Sequence, residues 1–63
     1  MIGVGDHVRW AGRDGVVVRP DVSDPGTGEW FIVCEVDGFE SSWPASGMQV
    51  TRRATRTARN AAI

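Results

Sequence analysis

The chain has 63 residues, eight acids, seven arginines, no lysine and a net charge of −1. That length limits it to one domain, near the lower end of what a single hydrophobic core can stabilise. Its lone Cys34 excludes an intramolecular disulfide, and no apolar run approaches the roughly 20 residues that span a bilayer.

The net charge hides a division. All eight acids lie in residues 1–51 against Arg9, Arg13 and Arg19, a net −5, while residues 52–63 carry four arginines and no acid, a net +4. An acidic body with a basic tail suggests two parts with different jobs. The opening Met1-Ile-Gly-Val-Gly-Asp6 does not read as a signal peptide, so the expected setting is cytoplasmic and reducing.

In chain order, residues 1–5 are a short, Gly-broken lead-in that can pair as a partial strand. His7-Val8-Arg9-Trp10 alternates, with Val8 and Trp10 on one face. Gly12-Arg13-Asp14-Gly15 carries an Asp-Gly turn signal, and the β-branched run Val16-Val17-Val18-Arg19 completes a hairpin ended by Pro20. Residues 21–28 form an eight-residue loop of turn formers. The central segment, Glu29 to Pro44, reads as two strands joined by a tight Asp37-Gly38 turn of type I′, in which both residues need positive φ. Trp30, Ile32, Cys34 and Val36 alternate with Phe31, Val33 and Glu35. The all-apolar first set is expected to fill the core, so that Val36→Asp or Trp30→Asp would unfold the protein. Pro44-Ala45-Ser46-Gly47 suits one 3₁₀ turn, and Met48-Gln49-Val50-Thr51 a short fifth strand. From Arg52 the period changes. Arg52, Arg56 and Arg59 fall on one helical face, with Ala54, Ala58 and Ala61 on the opposite one.

Val4-Gly5-Asp6-His7-Val8 followed by Gly12 to Val18 resembles the start of a KOW-type barrel. Phe31-Ile-Val, Asp37-Gly with Glu40, Pro44 and Val50 resemble a group of small actinobacterial SH3-like proteins that also end in an Ala- and Arg-rich helix. The resemblance spans residues 4–51. It implies an all-β fold, a five-stranded antiparallel SH3-like barrel of KOW or Tudor type over residues 1–51, with a short C-terminal α-helix over 52–63. One departure is charge: nucleic-acid-binding KOW barrels are usually basic, and this body is acidic. The lysine-free composition, rich in Arg, Ala, Gly and Val, fits a high-GC genome, an actinobacterium or one of its phages. A phage origin would put the protein in a host cytoplasm or a virion.

Catalysis finds little support. One His and one Cys would need mutual contact and an orienting third group, and Cys34 lies on an apolar strand face, where the thiol acts as a small hydrophobe. No zinc-type cluster or P-loop is present, and Asp21 and Asp24 are too few for a calcium site. The expected protein is no enzyme and takes no cofactor or metal. It is a protein-interaction module, binding a protein partner through Phe31, Val33 and Phe39 on an outer face and through a Trp43–Pro44 corner like the aromatic–proline element of SH3-type grooves. Two alternatives stand beside it: a nucleic-acid-binding protein led by Arg52, Arg53, Arg56 and Arg59, and a homo-oligomeric structural component of virion type, basic tail against acidic body.

Overall fold

The computed structural model describes residues 2–22 and 28–54. Its five strands are β1 (His7–Trp10), β2 (Arg13–Asp21), β3 (Trp30–Glu35), β4 (Glu40–Pro44) and β5 (Gln49–Arg52), and all neighbours pair antiparallel in the order β4-β3-β2-β1-β5.

Two turns set the registers: the first lies away from its Asp-Gly dipeptide, and the second contains Asp37-Gly38 but is one residue longer than expected. The first hairpin turns at Ala11-Gly12, both residues having positive φ (52° and 77°), with Trp10 facing Arg13. That is the two-residue geometry whose twist matches the flanking strands. Asp14 and Gly15 therefore lie inside β2. A non-glycine residue in the left-handed region costs roughly 1 kcal/mol, so Ala11→Asn is expected to raise stability by about 0.5–1 kcal/mol, read as a higher urea midpoint at unchanged slope.

The second hairpin has a three-residue loop, Val36-Asp37-Gly38. Gly38 N–H donates to Glu35 C=O at 2.9 Å, Glu35 N–H donates to Phe39 C=O at 2.7 Å, and only Gly38 has positive φ (95°). This is a turn followed by a left-handed glycine, not the expected type I′ pair. It pairs Phe31 with Trp43 and Cys34 with Glu40.

The core follows from that register. Val8, Val17, Phe31, Val33, Trp43 and Met48 are buried together, with Ile2, Trp10, Ala45 and Val50 packed against them. Trp10 lies 5.7 Å from Trp43, centroid to centroid, and the Arg13 guanidinium sits 5.3 Å above the Trp43 ring. The expected face assignment of β3 is thus reversed. Phe31 and Val33 point inward, Trp30, Ile32 and Cys34 are half-buried on the other face, and Val36 leaves the strand for the loop, 85% exposed.

β2 continues through Pro20 to Asp21 because β1 pairs with it only from Arg13 to Val16. At Pro20 the side away from β3 is a sheet edge, where a missing N–H costs nothing. A bulge between Val17 and Arg19 adds Val18. After β4, Met48 N–H donates to Ala45 C=O at 3.2 Å and Gly47 takes φ +83°, so the connection is a β-turn needing positive φ, not a 3₁₀ turn.

The all-β, five-stranded antiparallel character agrees with the expected fold class, but the barrel does not. β4 and β5 are the two edges of an open sheet and do not pair with each other. Closure requires a β4–β5 ladder, and the registers formed by the described strands include none. The described residues include no helix, and the expected helix start is overturned: Arg52 ends β5, and Arg53 and Ala54 continue without helical structure. The rest of the expected helix, residues 55–63, lies outside the described residues, as do residues 23–27 of the long loop. No helix among the described residues is long and apolar enough to cross a membrane.

Asp6 joins the two ends of the described chain. Its carboxylate, 4% exposed, accepts from the Gly3 N–H (2.9 Å), the Ala54 N–H (2.8 Å) and Arg53 Nη1 (3.2 Å). Nearby, Gly5 N–H and Asp6 C=O both bond to Val17, so the lead-in does pair with β2. Burial pushes the Asp6 carboxyl up, but the Ala54 and Gly3 N–H groups and the Arg53 charge together hold it below its ordinary 3.8. A depressed carboxyl adds stability above its unfolded value, and that contribution is lost as pH falls through the lower folded value. Urea midpoints from about pH 6 down to about pH 2.5 should therefore fall for the native chain, and fall less for Asp6→Asn. At neutral pH, Asp6→Ala is expected to cost about 2 kcal/mol, because it leaves buried N–H groups unpartnered.

Candidate functional site

Opposed residues in an antiparallel sheet point to the same side, so the registers define the face turned away from the core. One row crosses all five strands as Glu40, Cys34, Val16, His7 and Arg52. On one side of it lie Ser42, Ile32 and Arg19, then Pro44, Trp30 and Asp21. On the other lie Asp14, Arg9 and Gln49. The centre of this outer face is apolar: Val16, Trp30, Ile32 and Cys34 are each half-buried. A groove of about 390 Å³ runs over the row, lined by His7, Arg9, Asp14, Val16, Cys34 and Val36 among others. Phe39, 68% exposed, lies opposite Glu35 and so belongs to the other side of the sheet.

Every arginine of the body, and Arg53 beyond it, holds a carboxylate of the same chain. Arg9 pairs with Asp14 at 2.7 Å, Arg19 with Glu40 at 3.1 Å and Arg53 with Asp6. Arg13 makes a two-pronged pair with Glu35, Nε to Oε2 at 2.8 Å and Nη2 to Oε1. Glu35 is also held by the Ser41 hydroxyl at 3.2 Å, and these bonds, Arg13's first, lower its carboxyl pKa. The same bond raises the Arg13 pKa, and the Asp14 bond raises that of Arg9. Arg52 Nη2 lies 3.0 Å from His7 Nε2.

No family model, curated protein or solved structure matches the chain.

The residues expected to meet a protein partner are dispersed. Phe31, Val33 and Trp43 are core, the last two with no exposed surface, while Phe39 is open and Pro44 half-buried. Successive strand residues face opposite ways, so Trp43 turns inward and Pro44 outward, and the two do not make one corner. Of the tail arginines, Arg52 stands on the outer face, Arg53 is bound to Asp6, and Arg56 and Arg59 lie outside the described residues. His7 and Cys34 share the outer row but are two strand spacings apart, about 9.5 Å, with Val16 between them. The Cys34 thiol lies 3.7 Å from the Glu35 carbonyl oxygen.

Proposed function

We propose that this chain is a small non-enzymatic module for protein–protein interaction that binds through the outer face of β2 and β3. The observation that carries this reading is the second apolar face. A 63-residue chain whose core occupies one side of its sheet still carries Trp30, Ile32, Cys34 and Val16 on the other, continued by exposed Val36. Contiguous apolar surface of this kind marks interaction sites. The resemblance of residues 4–51 to SH3-like modules, which commonly bind peptides, points the same way. The charge pattern disfavours nucleic acid: Arg9, Arg13, Arg19 and Arg53 each hold a carboxylate of the same chain, and the body's five net negative charges repel phosphates.

The test is capture from a lysate by the tagged chain, with and without nuclease, beside a Val36→Asp variant. The replaced side chain is highly exposed, so the variant should melt like the parent. A protein retained after nuclease, and at least about tenfold depleted by the variant, supports the reading. Loss of all captured protein on nuclease treatment overturns it in favour of nucleic acid, with the salt dependence of phosphate binding as the cross-check.

A further inference from the structure

The row across the outer face runs from an acid at one sheet edge to a base at the other: Glu40 on β4, then Cys34, Val16 and His7, then Arg52 on β5. Its middle strand is β2, and its charge reverses about Val16. A surface with that pattern complements itself. When two copies lie face to face about a two-fold axis parallel to β2, the β4 edge of each covers the β5 edge of the other. Glu40 then meets Arg52 of the second copy at both ends, Cys34 meets His7 of the second copy, and Val16 meets its own equivalent on the axis. A two-fold axis along the row would instead set Glu40 on Glu40 and Arg52 on Arg52, so the charges select the first arrangement.

From this we infer that the occupant of the outer face is a second copy of this chain, in an isologous, face-to-face dimer. The inference rests on the proposed interaction module and names its partner. Of the other charged β2 residues of the face, Asp14 is held by Arg9, Arg19 by Glu40, and Asp21 keeps one carboxylate oxygen buried. Glu40 and its Arg19 partner are both exposed, so that carboxylate remains open to a second guanidinium. A net charge of only −1 on the whole chain leaves little long-range repulsion between copies. Four strand spacings make the face about 19 Å wide. A face of that width is small for a specific interface, so the dimer is expected to be a weak one.

Sedimentation equilibrium of the full chain from about 5 µM to about 1 mM tests this. The expected result is a mass rising to that of a dimer. Glu40→Arg and Arg52→Glu should each weaken association about tenfold or more, and the combined swap should return it to within about threefold of the parent. If a reversed charge unfolds the chain, as circular dichroism would report, Glu40→Gln and Arg52→Gln give the same reading with smaller fold-changes. A chain monomeric up to about 1 mM overturns the inference. So does a dimer that ignores both single swaps, as edge-to-edge strand pairing would, or one that the double swap fails to restore. A monomer that still captures a nuclease-resistant partner through Val36 would remove the homodimer and leave the proposed function standing. A monomer that captures nothing would remove both.

Discussion

Val33→Asp is expected to abolish folding, whereas Val36→Asp, three residues further on, should change stability by less than about 0.5 kcal/mol. Val33 has no exposed surface and lies in the cluster with Val8, Val17, Phe31, Trp43 and Met48. A carboxylate there would be ionised without a partner, or protonated at the expense of a large pKa rise. Either route costs about 4 kcal/mol or more. A core of this size supplies about 3–5 kcal/mol in total, so no folded population remains. Val36 is 85% exposed in the β3–β4 loop, where a carboxylate stays solvated. Far-UV circular dichroism and a urea titration of the two variants distinguish the faces directly. An unfolded Val36→Asp with a folded Val33→Asp would restore the alternation read from the sequence and refute the register.

Gly15→Ala is expected to cost about 3 kcal/mol, enough to leave most of the chain unfolded. A Cβ on Gly15 would stand 2.5 Å from Val33 Cγ1 and 2.8 Å from the Cys34 carbonyl oxygen. The second atom is backbone, held in the β2–β3 ladder, where Gly15 pairs with Glu35 and Val16 with Cys34, so it has little room to yield. Removing the Val33 methyls relieves one of the two clashes. Gly15→Ala/Val33→Ala should therefore be less destabilised than the two single changes summed, by about 1 kcal/mol in a double-mutant cycle. Strict additivity would mean that the two sites do not touch.

Those two residues also show where reading the sequence stops. Gly15 follows Asp14, and Asp-Gly is among the strongest hairpin dipeptides, so the local signal assigns it to a turn. Its actual constraint is non-local: β3 approaches closely enough to exclude a Cβ. The turn falls instead on Ala11-Gly12, which carries a weaker signal. Only pairing Trp10 with Arg13 places Val8 and Trp10 on the face that Val17, Val33 and Trp43 share.

The second hairpin repeats the lesson with a larger consequence. A two-residue Asp37-Gly38 turn would set Trp43 opposite Ile32, and the three-residue loop sets it opposite Phe31. A one-residue slip moves every β4 side chain to the other face, and with Trp43 goes the core. Alternation along β3 could not choose, because Trp30, Ile32 and Cys34 are as apolar as Phe31 and Val33. The outer-face residues of the candidate site were hidden for the same reason, having been counted as core.

What the sequence determined by itself is what local chemistry decides. Alternating and β-branched runs separated by glycine and proline made five strands, and their short connections made them antiparallel. The same residues placed Val8 and Trp10 on one face and limited the chain to a single domain. The tertiary structure alone decided which apolar face of β3 is buried, that the sheet stays open with β4 and β5 as edges, and that Asp6 binds the chain beyond β5 to the lead-in. Each of these depends on which distant residues meet. That is a property of register and close approach, and spacing along the chain does not encode it when both faces of a strand are equally apolar.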